Sequence, residues 1–313
     1  MKNRTRNGIV ILCLLISASL WSCQKESASS TTNDSNSDTT GIYVNDPSDL
    51  AMPDEPLIES SGNEMAATAT SITVGTRKNL LFNYTTEPAN SLTSFSYTSP
   101  VLYGSLQKYA SYSAARTTAV ARNGAYSIRY ELRKTDGLIG YGKRSETCRY
   151  SKGEPLGKLE RWYAGSYYLP SDYVTDAAPE ILTQWHSNIG SPPLALYTQN
   201  GQWRITRFGN LQTAAGTYVK NKWTDFVFHV KWSTGSDGLI EVWKDGVKVY
   251  TFTGVTMYAG TEAGAYMRTG IYKWPWNPTS KVVSTTTKRV VYIDEVRIGN
   301  QYATYRDVAP GNY

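Results

Sequence analysis

The chain has little cysteine and little histidine. Its 313 residues include three cysteines and two histidines, His186 and His229. Cys13 and Cys23 lie in an N-terminal apolar segment, so Cys148 is the one cysteine in the remainder of the chain. An intramolecular disulfide framework is therefore excluded. Amphipathic stretches with helical spacing of apolar residues are also missing, which argues against an α-helical domain.

The chain also lacks an apolar run long enough to cross a bilayer. The segment "GIVILCLLISASL" follows Lys2, Arg4 and Arg6 and falls short of the roughly 20 residues that a spanning helix needs. The order of basic, apolar and small residues indicates a signal peptide over residues 1–22. The ending "LWSC" resembles the lipobox of bacterial lipoproteins. The resemblance implies that Cys23 is lipidated and that the protein is held at the outer membrane, on the cell surface or in the periplasm.

Residues 23–68 contain too few apolar residues to form a core. The stretch is rich in Ser, Thr, Asn and Asp, as in "SASSTTNDSNSDTT", and such a segment cannot offset the entropy cost of ordering. We predict a disordered tether. After Cys23 it carries nine acidic residues and one lysine, while the signal peptide carries three basic residues. Because the whole chain has a formal net charge of +6, residues 69–313 carry +11.

The charge of residues 69–313 favours a polyanionic partner. Nucleic-acid motifs are missing, and the leader directs the protein out of the cytoplasm, so we predict an acidic polysaccharide and no nucleic acid. Short strand patterns recur through this region, rich in β-branched and aromatic residues and bounded by turn residues. Asp245-Gly246 in "VWKDGVKVY" predicts a hairpin. Many strands without helices predict a single all-β jelly-roll sandwich with an open concave sheet.

Three predicted strands carry polar pairs at a spacing of two, which places each pair on one face of its strand. "KRSETC" contains Arg144 and Glu146, and "TQWHSN" contains Gln184 and His186. "YMRTGIY" contains Tyr266, Arg268 and Tyr272. In "FVFHVKW", by contrast, one face carries Phe226, Phe228, Val230 and Trp232, and the other carries Val227, His229 and Lys231. A structural or solvated role is expected for His229.

Together these residue types suit β-elimination across a 4-linked uronic acid. The C5 proton is removable only if the neighbouring carboxylate is neutralised, and Gln184 and Arg144 are suitable donors. A base then takes the C5 proton and an acid protonates the departing O4. The candidates are His186, which is expected to titrate near neutral pH, and a tyrosine whose pKa is expected to be lowered by a neighbouring cation such as Arg268. The order of their roles stays open. The scheme requires no metal ion or other cofactor, and a structural calcium ion is compatible with it.

The motifs "RSE", "QWH" and "YMRTGIY" resemble, in order and rough spacing, those of jelly-roll alginate lyases. The sequence around these motifs, over about residues 120–300, resembles that of the secreted polysaccharide lyases related to heparin lyase I and glucuronan lyase. The resemblance implies a concanavalin-like β-jelly-roll sandwich. It also implies that Gln184 and Arg144 neutralise the carboxylate, and that His186 and Tyr272 transfer protons. The missing leucine after Glu146 leaves the uronate polymer undecided among heparin-like, glucuronan and alginate chains.

Further residues are expected to bind substrate along the same cleft. Arg129 in "RYELR" is a second candidate for the arginine motif, although the spacing before "QWH" favours Arg144. Lys273 and Trp274 follow the third motif, and an exposed tryptophan beside a cleft can stack on a sugar. The other expected binding residues are Arg268, Glu146 and Tyr266.

Two other functions compete with the lyase. A non-catalytic surface lipoprotein that binds acidic glycan needs no histidine or paired tyrosine. A retaining glycoside hydrolase needs two carboxylates about 5 Å apart, and no E-x-D-x-E run occurs, since "YIDEV" places Asp294 and Glu295 on opposite faces. We therefore favour the lyase. We also expect the protein to be a monomer. Whether it attacks chain ends or chain interiors is open.

Overall fold

The computed structural model describes residues 77–86, 104–139, 142–149, 160–187, 189–260 and 265–311. The predicted signal peptide, Cys23, the tether and the domain boundary at residue 68 lie outside the described residues. The described residues belong to one compact unit. Among them, no helix has the length and apolar character needed to cross a membrane.

The described chain is almost entirely β-strand, as the sequence predicts. Its one α-helix is the short α1 (Tyr305–Val308), and two 3-10 turns cover Ser111–Ser113 and Trp274–Trp276. The strands are β1 (Leu80–Tyr84), β2 (Gly104–Gln107), β3 (Ala114–Thr117), β4 (Ser127–Arg133), β5 (Arg144–Arg149), β6 (Glu160–Tyr168), β7 (Glu180–His186), β8 (Leu194–Gln199), β9 (Gln202–Arg207), β10 (Leu211–Thr217), β11 (Trp223–Lys231), β12 (Leu239–Lys244), β13 (Val247–Thr253), β14 (Tyr266–Tyr272) and β15 (Lys288–Gly299).

The strands form two antiparallel sheets. The eight-stranded sheet has the order β13-β12-β11-β6-β15-β4-β3, and β1 also pairs with β15. The seven-stranded sheet has the order β10-β9-β8-β7-β14-β5-β2. Strands β5, β14 and β7 come from distant parts of the sequence but lie side by side in this second sheet. Each carries one of the three polar motifs, so the topology brings the motifs together.

The core lies between the two sheets and is rich in aromatic side chains. From the eight-stranded sheet, Phe226, Phe228 and Val230 point inward and are buried, which confirms the alternation predicted for β11. From the seven-stranded sheet, Trp185 points inward and packs against Phe228 with ring centroids 4.7 Å apart. Since neighbouring residues on a strand point to opposite faces, burying Trp185 directs Gln184 and His186 outward.

The register around β14 depends on a glycine. Gly270 has φ +138°, and a Cβ atom there would lie 2.2 Å from the carbonyl oxygen of Ser145 on β5. Only glycine allows this close approach of the two backbones. Between Thr269 and Tyr272 the pairing of β14 with β7 shifts, whereas its pairing with β5 stays regular. Tyr272 therefore pairs directly with Arg144.

Candidate active site

The three motifs meet on the outer face of the seven-stranded sheet, which we call the site face. Direct pairing across β14 places Arg268 opposite Gln184 and Tyr266 opposite His186. On the other side of β14, Tyr272 pairs with Arg144 and Gly270 with Glu146. The site face thus carries Arg144, Glu146, Gln184, His186, Tyr266, Arg268 and Tyr272. The shared face predicted for each motif is what the structure shows.

Glu146 lies at the centre of this group and is 1 % exposed. Gln184 donates a hydrogen bond from Nε2 to Glu146 Oε1 at 2.6 Å. Arg144 Nη1 lies 3.3 Å from Glu146 Oε2, and Arg268 Nη1 lies 3.9 Å from the same oxygen. One carboxylate is therefore shared by two guanidinium groups. Within this cluster the charges sum to a net positive value, which favours an anionic ligand.

Gln107 is a member of the cluster that the sequence did not single out. Its Oε1 accepts hydrogen bonds from Arg268 Nη1 and from Arg144 Nη1, the latter at 3.4 Å. Gln107 lies on the short strand β2 and pairs directly with Glu146. The segment "GSLQ" has no motif and no clear alternation, so only the tertiary pairing of β2 with β5 reveals this residue.

The two arginines keep donors that nothing in the described protein satisfies. The Nε groups of Arg144 and Arg268 are both buried and have no hydrogen-bond partner. A buried donor without a partner costs about 1–3 kcal/mol, so such groups are rare and call for an explanation. A substrate carboxylate bound beside the two arginines can accept these hydrogen bonds.

His186 and Tyr266 form the second part of the site. Their ring centroids lie 5.9 Å apart. Burial, followed by the charges of Arg268 and Arg144, lowers the pKa of His186 to about 4, although a hydrogen bond with the Gly190 backbone opposes this shift. The expectation that His186 titrates near neutral pH is therefore wrong for the ligand-free protein. At neutral pH the imidazole is uncharged and is able to accept a proton.

Tyr272 lies against Arg144, whose guanidinium carbon is 4.3 Å from the ring centroid. A side chain at Gly142 would overlap the same ring, so this glycine leaves room for it. Burial raises the pKa of Tyr272, although neighbouring Arg144 lowers it. Burial also raises the pKa of Tyr266 against the opposing charge of Arg268. The expected lowering of a tyrosine pKa is thus wrong, because desolvation outweighs the cations, and both phenols are protonated at neutral pH.

Two of the expected substrate-binding residues lie elsewhere. Arg129 is on β4 in the eight-stranded sheet, where it forms an ion pair with Glu131. The interpretation that it lines the same cleft is wrong, because a motif match carries no information about which sheet a strand joins. Lys273 is 0 % exposed, and its Nζ lies 3.1 Å from Asp176 and 3.5 Å from Glu180. It points into the protein because it follows outward-facing Tyr272.

The tryptophans after β14 differ from each other in exposure. Trp274 is 36 % exposed at the start of the 3-10 turn, and its contact with a sugar stays a prediction. Trp276 is buried, and its Nε1 donates to Ser284 Oγ at 2.9 Å. Trp276 therefore packs the loop.

His229 lies on β11 in the eight-stranded sheet, on the polar face that its strand pattern predicts. Its Nδ1 lies 2.9 Å from Glu241 and its Nε2 lies 2.6 Å from Glu160, and its ring stacks on Trp162 with centroids 4.1 Å apart. These contacts give it a structural role on the outer face of the eight-stranded sheet.

Carboxylates are scarce on the site face. Among the described strands of the seven-stranded sheet, Glu146 is the one acidic residue whose side chain lies on this face, since Glu180 points inward and bonds Tyr173 and Arg289. Nor do the described residues contain a cluster of three or more His, Cys, Asp or Glu side chains suited to a metal ion. Around Glu146, the polar chemistry of β5, β7 and β14 on this face, together with Gln107, is therefore that of one carboxylate, two guanidiniums, two amides, an imidazole and two phenols.

Comparison with known proteins supports this description of the fold. A model of the polysaccharide lyase family matches residues 93–297. None of the curated proteins compared with the chain matches it. An endo-β-1,4-glucuronan lyase from the fungus Trichoderma reesei is similar in structure, with a TM-score of 0.57 and 20% identity over 75% of this chain and 100% of that chain.

A second solved structure shows that the fold alone does not define the chemistry. The catalytic domain of a glycoside hydrolase family 131 protein from Coprinopsis cinerea has a TM-score of 0.54 and 12% identity, over 75% of this chain and 98% of that chain. At such identities both likenesses show a shared concanavalin-like jelly roll, which confirms the predicted fold class, and function has to be argued from the site. Because the family model spans more than half of the sequence, this chain belongs to the polysaccharide lyase family.

Proposed function

We propose that this protein cleaves an acidic, uronate-containing polysaccharide by β-elimination and leaves unsaturated uronate ends. The observation that carries the proposal is the pair of buried Nε donors on Arg144 and Arg268, which have no partner and face the same surface as His186 and the two tyrosines. A substrate carboxylate satisfies these donors and thereby becomes neutralised beside a base and an acid.

Neutralisation of the carboxylate is the first requirement of the reaction. As the C5 proton leaves, negative charge develops on the carboxylate oxygens, and preorganised donors stabilise it. Arg144 and Arg268 supply charged donors, and Gln184 supplies an amide within hydrogen-bond distance of Glu146. Glu146 and Gln107 hold the guanidiniums in place by accepting their other hydrogen bonds. The positions of the donors are therefore fixed before substrate arrives.

His186 is our candidate for the base. Its lowered pKa keeps it uncharged at neutral pH, so it can take the C5 proton. The electron pair of the C5–H bond then forms the C4–C5 double bond, and the C4–O4 bond breaks. A substrate carboxylate bound beside the ring stabilises the imidazolium that forms, because opposite charges favour the charged state.

A protonated tyrosine is our candidate for the acid that protonates O4. Tyr272 is favoured by its motif position and by its contact with Arg144, and its raised pKa keeps the phenol protonated at neutral pH. Tyr266 is the alternative, because the register places it directly opposite His186. Its ring supports the imidazole in either case.

The site supports hydrolysis less well. A glycoside hydrolase of the usual kind places an acid and a nucleophile or base on two carboxyl groups. The described part of the site face offers Glu146 alone, and this carboxylate is already bound by Gln184 and two arginines. A purely glycan-binding role, in turn, leaves the neutral histidine and the two protonated phenols without a function.

The test is the formation of product that absorbs in the ultraviolet. Purified protein should release unsaturated uronate from at least one member of a panel of glucuronan, alginate and heparin-like glycosaminoglycan. Glucuronan deserves the first trial, since it is the substrate named for the similar fungal lyase. New reducing ends without absorbance would show hydrolysis instead, and binding without either product would show a glycan-binding protein.

The N-terminal region adds a proposal about location. We propose that Cys23 is lipidated, that the acidic tether holds residues 69–313 away from a bacterial membrane, and that the protein acts as a monomer without a required cofactor. Mass analysis of the mature protein from cells should find an acylated Cys23. A mature chain that starts elsewhere and carries no lipid would contradict the lipoprotein proposal.

A further inference from the structure

We propose that Arg204 forms a second carboxylate-binding subsite on the site face and makes the protein selective for polymers with more than one uronate near the cleavage point. The proposal rests on the proposed function, because it adds a neighbouring subsite for the same substrate. Arg204 lies on β9, two strands from β7, and belongs to none of the three motifs.

The pairing register places Arg204 in line with the first subsite. Tyr272 pairs with Ile181 on β7, Ile181 pairs with Tyr197 on β8, and Tyr197 pairs with Arg204 on β9. Residues that pair directly across antiparallel strands project from the same face. Since Tyr272 also pairs with Arg144, the row has an arginine on either side of its apolar centre.

Arg204 lies beside the Tyr197 phenol and keeps part of its guanidinium without a partner. Its Nε is buried and has no hydrogen-bond partner, and its Nη2 lies 3.5 Å from the neutral Gln202 side chain. It forms no ion pair with any described acidic residue. Next to it on the site face, Thr206 also has a buried hydroxyl without a partner. A carboxylate can accept two parallel hydrogen bonds from one guanidinium, which makes the pair strong and geometrically specific.

The described residues between the two subsites carry no charge. Ile181, Ala195 and Tyr197 form a small apolar cluster there, and Tyr272 packs against it. These three side chains are at most 7 % exposed, and no charged side chain of the described strands lies between the two subsites to compete for the ligand. Strands are spaced by about 4.8 Å, so β9 lies roughly 10 Å from β7, which is the length of a short oligosaccharide.

The consequence is a preference for polymers of contiguous uronates. When Gln184 and His186 hold the uronate that is cleaved, Arg204 lies within reach of a carboxylate on a nearby residue of the same chain. A polymer with neutral sugars around each uronate leaves the buried Arg204 donor without a partner and forgoes that contact. Selectivity then comes from binding, because Arg204 does not touch the reacting atoms.

The experiment compares Arg204→Gln with wild type on polyglucuronate. We expect Arg204→Gln to raise KM for polyglucuronate roughly tenfold, which is the size expected for loss of one charge-assisted contact, while kcat changes less than about twofold. Arg204→Lys keeps the charge without the planar guanidinium, so its KM should lie between those of wild type and Arg204→Gln. Arg133→Gln, in an exposed ion pair on the other sheet, is the matched control and should behave as wild type.

Chain length gives a second measurement. With uronate oligosaccharides of increasing length, wild-type kcat/KM should rise at the length that reaches Arg204, and Arg204→Gln should lack that rise. An unchanged length dependence and an unchanged KM would overturn the subsite. Calorimetric titration with polyglucuronate separates this failure from failure of the lyase proposal. If wild type binds the polymer roughly tenfold more tightly than Arg204→Gln but makes no unsaturated product, the subsite stands and the lyase proposal falls.

Discussion

Tyr266 lies directly across the β7–β14 pair from His186, with their ring centroids 5.9 Å apart. Tyr272, which the motif resemblance favours as a proton donor, is instead opposite Ile181 and contacts Arg144. The site therefore presents two phenols on one strand, one beside the imidazole and one beside a guanidinium. This arrangement allows the role of each phenol to be tested with the same small substitution.

We predict that Tyr272→Phe lowers kcat at least roughly 100-fold, because it removes the hydroxyl that protonates O4 but little volume. KM should change little, since binding depends mainly on the arginines. Tyr266→Phe is the matched control on the same face of β14, and we expect a loss below about tenfold, because the ring still packs on His186. The reverse ranking, measured by release of unsaturated uronate, would assign the acid to Tyr266.

The two histidines should differ sharply in their effect on catalysis. His186→Ala should lower kcat at least roughly 100-fold through loss of the base. His229→Ala should leave kcat near the wild-type value, because His229 binds Glu160 and Glu241 on the other sheet. Both variants need a melting curve beside the activity assay. A folded His186→Ala protein with near-normal activity would exclude this histidine as the base.

The pH dependence of kcat/KM should report the lowered pKa of His186. Because the free protein holds this pKa at about 4, the base is uncharged above that pH, and kcat/KM should fall only as pH drops through about 4. An unperturbed histidine would give the acidic limb near pH 6.5. Circular dichroism over the same range checks for unfolding, since between pH 6.5 and 4 the unfolded chain binds more protons at this residue and stability decreases. If kcat/KM instead increased as the pH approached about 10, the base would be a phenolate.

Substitutions at Gln184 should separate its donor role from its packing role. Gln184→Ala removes the amide that donates to Glu146 and should lower kcat at least roughly tenfold, in line with loss of one preorganised donor. Gln184→Glu keeps the shape but places a second carboxylate beside Glu146. It should raise KM as well, because like charges repel the uronate. Equal kinetics for wild type and Gln184→Glu would argue that this position does not face the substrate carboxylate.

Lys273 should matter for stability. Lys273→Met removes a fully buried cation and leaves Asp176 and Glu180 with one donor fewer, which should lower the free energy of unfolding by about 3 kcal/mol or more. Lys248→Met, at an exposed ion pair with Glu241, should cost less than about 1 kcal/mol. Urea denaturation of both variants measures the difference. Equal destabilisation would show that the buried ion pairs of Lys273 add no more than the exposed pair.

Part of the site was predictable because strands have a fixed period of two. That period places Gln184 with His186 and Arg144 with Glu146 on common faces, whichever sheet the strands join. The same alternation identified Phe226, Phe228 and Val230 as core residues. Sequence patterns could not decide whether Arg129 or Arg144 lies at the site, because both belong to well-formed alternating strands. Sheet membership separates them, since β4 and β5 lie in different sheets.

The sequence by itself therefore determined the all-β fold class, the faces of the individual strands and the residue types available for proton transfer, because these follow from local periodicity and side-chain chemistry. Only the tertiary structure decided which strands are neighbours, that Gln107 joins the site, that Lys273 is buried and that Arg204 shares a row with Tyr272. It also decided protonation, because burial and two nearby arginines together lower the pKa of His186, whereas at Tyr272 burial raises the pKa more than Arg144 lowers it. Pairing register and desolvation depend on contacts between residues distant in sequence, which no local pattern encodes.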